Sequence, residues 1–323
     1  MSIFNTGKSL IKKVKPIPIF FTINNAFAPY VACSIASIIK HANPKKYYRI
    51  VILNDGLSLR NRIKLRSMVT RNCEIQFRKM THNIYLRTII HYCSRRSGAG
   101  DYFSSAVYYY RAFIARLFPQ YSKAIYIDSD TILTGDIAEL YDIDLGEKTL
   151  AALPAPKVKN IPVFKEYVEK ALGISCDEYV NSGVLLMDLK KMRKAHYIST
   201  MIDLINKFNA DLVAPDQDYL NVIFRGKILH LDETWNYQPI SKTIPEHIKL
   251  THFNLFKKPW FYSDIFGGEI FWENAAKTPF YNELVRGKEN YSLKDAEKND
   301  QKIAALLKKA ENLANSPEPL IKL

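Results

Sequence analysis

Residues 124–133 read AIYIDSDTIL, and this stretch decides the fold. Ala124 to Ile127 is an unbroken apolar run with the length of a buried strand, and it leads directly into Asp128, Ser129 and Asp130. Ligands of open α/β sheets gather at the carboxyl ends of the strands, which is where these two acids stand. In an extended segment residues i and i+2 point to the same side, so Asp128 and Asp130 converge on one hard cation, and like charges that close favour a cation between them. The plainer alternative is that the pair caps a strand and opens a turn. A lone DxD does not separate the two.

Working outward, the segments before this stretch supply the rest of a sheet. Ile17 to Ile23 reads as a strand, and Tyr30 to His41 as a helix with apolar residues at 31, 35, 38 and 39. Arg49 to Leu53 is a second apolar run closed by Asn54, Asp55 and Gly56, Ser58 caps a basic helix to about Val69, and Cys73 to Phe77 is a third strand. Strand alternating with helix is the grammar of a mostly parallel α/β sheet. Residues 79–101 show no clean period and, with Ser97 to Gly100, read as a mobile loop before a helix from Tyr102 to Leu117. After the acidic stretch, Gly183 to Met187 reads as a strand, Leu189 to Phe208 as a helix broken near His196, Pro215 as a helix start, and Lys249 to Phe253 as a last strand. Leu293 to Ala314 carries apolar residues at 303, 306, 307, 310 and 313, one stripe of a helix that either lies on a membrane or docks on the domain, and its mixed Glu, Asp and Lys polar face favours docking.

Composition sets the class. The chain has 323 residues, 47% hydrophobic and 24% charged, enough to bury a sizeable core and too apolar for disorder. Cys33, Cys73, Cys93 and Cys176 form no CxxC pair and suit reduced thiols. The net charge of +14 is uneven: residues 40–125 carry +14 and residues 126–240 carry −6. A basic first half facing an acidic middle points to an anionic partner handled beside carboxylates. Nucleic acid, anionic lipid and a diphosphate all satisfy that. Residues 16–39 are uncharged, but Pro16, Pro18, Pro29, Asn24 and Asn25 break them into strand, loop and helix, which argues against a membrane span. A cytosolic or peripheral protein is expected.

Other polar groups fall near strand ends. His252 ends a short apolar run ahead of Lys257, Lys258, Pro259 and Trp260. Imidazole beside two carboxylates suits manganese, with magnesium as the alternative, and Lys258 offers charge to a phosphate. Asn181, Ser182 and Gly183 precede a strand, and Asp216, Gln217 and Asp218 open a helix, where short polar groups can meet sugar hydroxyls. Taken singly these are turn chemistry and helix-dipole chemistry.

Their order is more specific. AIYIDSDTILTGDIAELYDIDLG, VNSGVLLMDLKKMR, PDQDYLNVIFRGK and HFNLFKKPW, in that sequence, resemble the retaining glycosyltransferases of family 8, the bacterial lipopolysaccharide galactosyl- and glucosyltransferases and their relatives, from about Ile17 to Tyr281. The resemblance implies a GT-A (Rossmann-like) fold and a nucleotide-diphosphate sugar donor, usually a UDP-sugar. It implies Asp128, Asp130 and His252 as metal ligands for Mn2+ or Mg2+. Asn24 and Phe27 match positions that hold the uracil, Arg111 a group beside the donor sugar and diphosphate, and Lys258 a phosphate contact. Asn181 and Asp216 match sugar-hydroxyl contacts and Gln217 the polar group beneath the anomeric carbon, with Thr22, Ser129 and Ser182 completing the donor-binding set. Two positions depart from the family. Asn24 stands where relatives often carry aspartate, its amide oxygen expected to accept the base N–H. Leu255 replaces the glycine of HxxGxxKPW, which alters the backbone approach to the diphosphate.

The reaction these expectations describe is metal-dependent transfer of a hexose from a UDP-sugar to a saccharide, lipid-linked or protein-linked acceptor in cell-surface glycan synthesis. It proceeds by same-face attack, because Gln217 is a poor nucleophile. Two rivals compete with it. A haloacid-dehalogenase-type phosphatase would use Asp128 as nucleophile, but the motif lies far into the chain, its threonine falls one place early, and no GDGxxD follows. A non-catalytic platform for nucleic acid or anionic lipid would use the basic first half, where Arg60, Arg62, Lys64 and Arg66 lie on one helix. The expected division is a basic lead over 1–15, a catalytic domain over 16–285 and a helical tail over 286–323, with no nucleic-acid partner.

Overall fold

The computed structural model describes residues 15–80, 84–96, 105–239, 244–255, 257–315 and 319–320. Nine strands occur among them: β1 (Ile17–Ile23), β2 (Tyr48–Asn54), β3 (Cys73–Lys79), β4 (Lys123–Ile127), β5 (Thr131–Leu133), β6 (Leu150–Ala152), β7 (Val184–Asp188), β8 (Ile228–His230) and β9 (Leu250–His252). Seven form one sheet in the order β3-β2-β1-β4-β7-β6-β8, and β5 pairs with β9 in a second. β1 is parallel to β2 and β4, β2 to β3 and β6 to β8, whereas β7 runs against both its neighbours.

Successive side chains of a strand face opposite sides, and here both sides are buried. Ile19 and Phe21 of β1, Ile50 and Ile52 of β2, and Ile125 and Ile127 of β4 enter one core, while Phe20, Val51 and Tyr126 enter the other. That explains why these strands read as continuous apolar runs. The helix Ala28–His41 covers the first face through Val31, Ile35 and Ile38. All four cysteines are buried free thiols.

Several expectations change. The helix Ile84–Arg96 lies inside the segment read as a loop. It buries Leu86, Ile89, Tyr92 and Cys93, but Ile84 and Ile90 are exposed and blur the stripe. Ser97 to Gly100 lie outside the described residues, as do residues 1–14 of the basic lead. Of the expected helix from Tyr102, the described part is a 3-10 turn over Ala106–Phe113 followed by Ile114–Leu117. The break near His196 is real, because His196 takes the left-handed conformation at φ 49 between Leu189–Lys194 and Tyr197–Phe208.

The terminal helix Leu293–Ala314 opens with a capping box, Ser292 with Asp295, and docks through Leu306, Ala310 and Ala314. No described helix is long and apolar enough to cross a membrane.

Candidate active site

Strand order reverses at β1, which has β2 on one side and β4 on the other. A crevice opens at the carboxyl ends flanking such a switch point. Here it is a cavity of about 590 Å³, lined by Asn24 and Phe27 after β1 and by Asp128 and Asp130 after β4.

The turn between β4 and β5 is held by Thr131 Oγ1, which donates to the Asp128 carbonyl at 2.8 Å. The Asp128 amide continues the sheet ladder, donating to Gly183 O at 2.8 Å. Antiparallel pairing sets Thr131 opposite His252, and the Phe253 amide donates to Asp130 O at 2.9 Å. Thus the register of two three-residue strands carries a histidine from more than a hundred positions away to the two aspartates.

Each of the three groups has one polar atom engaged by the protein and one facing the common centre. Asp128 Oδ1 accepts from Tyr126 Oη and lies 3.2 Å from Arg111 Nη2, leaving Oδ2. Asp130 Oδ2 accepts from Lys258 Nζ at 2.7 Å, leaving Oδ1. His252 Nδ1 lies 2.9 Å from Asn236 Oδ1, an acceptor, so Nδ1 donates there and Nε2 is the nitrogen turned to the common centre. Nε2 is 3.2 Å from Asp130 Oδ1 and 3.8 Å from Asp128 Oδ2. Ligands at about 2.1 Å from an octahedral cation are about 3 Å apart, so these three residues fit a divalent ion. Burial raises the Asp130 carboxyl, but Lys258 and His252 outweigh it and hold it well below the usual carboxylate range.

Gly183 is part of this packing. A Cβ there would meet His252 Cε1 at 2.2 Å and Asp128 Oδ2 at 2.8 Å. Behind the histidine runs a chain of side-chain hydrogen bonds. Asn236 Nδ2 donates to Asn181 Oδ1 at 3.0 Å, Asn181 Nδ2 to Gln217 Oε1 at 3.1 Å, and Gln217 Nε2 to Tyr179 Oη at 2.9 Å. Tyr179 and Tyr167 both donate to the buried Asp218 carboxylate.

The other expected residues are placed as follows. Thr22 bonds Tyr126 at 3.0 Å, and Ser129 lines the cavity. Arg111 is almost fully buried, its Cζ 4.4 Å from the Tyr126 ring centre, and it donates to Tyr108 O and to Ser182 O and Oγ. Most of its donors are spent on the protein, so it serves as the counter-charge of Asp128 and Asp216. The Asp216 carboxyl is pushed up to about 6 by burial, despite Arg111, with Asp128 and Asp218 adding to the rise. Its Oδ2 is 3.1 Å from Arg111 Nε, but that N–H points to Tyr108 O, and Oδ2 accepts no hydrogen bond. A buried acceptor lacking a donor at a cavity wall suits a ligand hydroxyl.

Two expectations need correction. Asn24 Oδ1 caps the turn Asn25–Phe27, accepting from Ala26 N at 2.9 Å and Phe27 N at 3.2 Å. Its oxygen is therefore occupied, and the amide NH2 is the end left for a base. Leu255 adopts φ 63, so the loop keeps a glycine-like conformation with a leucine in it, at a cost of about 1 kcal/mol. The loop is tied down by Lys157, whose ammonium donates to Asn254 O and is pushed well below its usual range by burial and by Lys258.

Sequence reading missed Tyr126, Lys157, Asn236 and Gln238, of which Gln238 presents a buried Nε2 without a hydrogen-bond partner. The only written signal was the run Trp235, Asn236, Tyr237, Gln238.

Residues 18–264 match the family model described as glycosyl transferase family 8. A putative glycosyltransferase of Haemophilus influenzae is 30% identical over 258 residues, 79% of this chain and 72% of that protein. The lipopolysaccharide 1,2-glucosyltransferase of Escherichia coli is 28% identical over 175 residues, 48% of this chain and 49% of that one. The galactosyltransferase LgtC, solved with donor and acceptor sugar analogues, superposes with a TM-score of 0.70 and 24% identity over 84% of this chain and 100% of its own. With the strand order, the cleft at the switch point and a match over most of its length, the chain has a GT-A fold and belongs to glycosyltransferase family 8.

Proposed function

We propose that the protein transfers a hexose, glucose or galactose, from a UDP-sugar to a glycan acceptor with retention of configuration. The observation that carries this is the convergence of Asp128 Oδ2, Asp130 Oδ1 and His252 Nε2 on one point beside the cavity, with Lys258 and Arg111 behind them. A manganese or magnesium ion held by these three would neutralise the departing diphosphate. Lys258 adds a positive charge on the same side, next to Asp130.

The residues around the sugar position favour same-face attack. Gln217 Oε1 already accepts from Asn181 Nδ2 and from Ser182 N at 3.0 Å, so it is a fixed dipole. The Asp218 carboxylate is consumed by Tyr167, Tyr179 and the Ala214 amide at 2.9 Å. Asp216 lies against Arg111. With Asp218 fully engaged, Asp216 held against the Arg111 charge with its free oxygen assigned to a sugar hydroxyl, and Gln217 a poor nucleophile, the acceptor hydroxyl attacks from the side of the leaving group, whose phosphate oxygen takes the proton. Orphaned Asp216 Oδ2 accepts a sugar hydroxyl, and the Asn24 amide donates to a base carbonyl. Residues 16–285 with the docked terminal helix act as the catalytic unit.

Family membership displaces the phosphatase reading of Asp128. A panel of nucleotide sugars tested with manganese for hydrolysis and thermal shift is expected to single out a UDP-hexose, and NMR of the product to show a retained anomer. An inverted linkage, or response only to phosphomonoesters, overturns the proposal.

A further inference from the structure

The basic first half holds a feature that transfer chemistry does not use. Residues 56–96 contain ten basic residues and one acid, Glu74, which is paired with Arg49. Within them the helix Leu59–Arg66 buries Asn61 and Leu65. At 100° per residue the opposite, outermost line of that helix runs through Leu59 and Ile63. These are 71% and 61% exposed, and Val69 just beyond is 43% exposed. Arg60, Arg62 and Arg66 flank them, all exposed.

The helix is thus amphipathic in the inverted sense, with aliphatic side chains on the solvent side between arginines. A solvated surface gains nothing from Leu59 and Ile63. Nucleic acid would engage the arginines and leave the aliphatic pair idle. A second copy of the same face would bring like charges together. Aliphatic side chains seated among cationic ones match the boundary between headgroups and acyl chains in an anionic bilayer. Position supports that occupant. Asn61 Nδ2 and Ser58 N bond Asn25, at 3.1 and 2.8 Å, so the helix begins beside the loop that follows β1 at the mouth of the cleft. The edge strand β3 next to it shows exposed Arg78 and Lys79, and the helix Ile84–Arg96 shows Ile84, 70% exposed, with exposed Arg87.

We propose that the face centred on Leu59 and Ile63, with its flanking arginines, seats this protein on an anionic phospholipid surface. The seat rests on this surface alone and stands apart from the catalytic reading.

Co-sedimentation of the full chain with phosphatidylcholine vesicles, with and without phosphatidylglycerol, tests it. Wild type is expected to bind the anionic vesicles, less tightly as salt rises. Leu59→Ser with Ile63→Ser is expected to weaken binding about tenfold at constant salt, and Arg60→Gln with Arg66→Gln about fivefold per charge. The remote exposed pair Lys194→Gln with Lys207→Gln is expected to change little. All four positions of the two test pairs are exposed, and unchanged melting temperatures would show the variants folded. Equal binding to neutral and anionic vesicles, or wild-type binding by the aliphatic double variant, overturns the proposal. So does binding of duplex DNA in place of vesicles, or a change of oligomeric state in the aliphatic variant. UDP affinity, measured separately, reports on the catalytic reading and is expected to be the same in every variant.

Discussion

At the scale of single residues the site depends on what each side chain is prevented from doing. Tyr126, Lys258 and Asn236 each occupy one polar atom of a candidate ligand, so the free atoms have a single direction left. Gly183 protects that arrangement by having no side chain. Gly183→Ala is expected to lower manganese affinity about 10- to 100-fold, as loss of an outer support to a metal ligand does, measured by calorimetry on a protein whose melting shows it folded. Asp216 gives a second test. Its carboxyl sits near 6 in the fold, above the unfolded value near 3.9. A raised acid stabilises the fold below its unfolded pKa, and that contribution is lost as pH rises from about 4 through 6. Asp216→Asn is therefore expected to raise stability at pH 7 by up to about 3 kcal/mol while lowering transferase activity. Wild-type activity should fall on acidification below about pH 6, where Asp216 protonates and loses the charge that strengthens its hydrogen bond from the sugar, and this limb should disappear in the variant.

Elements explain what was legible beforehand. β1, β2 and β4 are buried on both faces, so apolar composition alone revealed them. β5, β6 and β8 are three residues long and carry no period. The register of β5 against β9 is what joins His252 to Asp130, so the triad was readable only through likeness to a family. The residues behind it, Asn236, Tyr126 and Gln238, have no spacing of their own because their partners come from distant elements. The helix Ile84–Arg96 was hidden by its exposed Ile84 and Ile90. The terminal helix was visible as a stripe, but its place in the cavity wall was not: Leu306 touches the cavity and is buried against the domain. Leu306→Ala is expected to cost about 2–4 kcal/mol in denaturant unfolding. Manganese affinity should be preserved, because the candidate ligands are carried by β9 and the turn after β4 and not by this helix.

Across the whole molecule, charge and topology act together. Strand order reverses at β1, beside the turn after β4 that carries two carboxylates, and the negative charge gathered there is balanced by buried Arg111 and partly buried Lys258. The basic excess elsewhere lies largely on the flank of β3, away from this compensation. The cleft is thus poised for an anionic ligand that brings, or is joined by, a cation. Calorimetric titration of UDP with and without manganese, on wild type and on Asp130→Asn, tests that most directly. The account predicts that manganese strengthens UDP binding to wild type at least about tenfold and leaves the variant unchanged; UDP binding to wild type that is indifferent to manganese would contradict it.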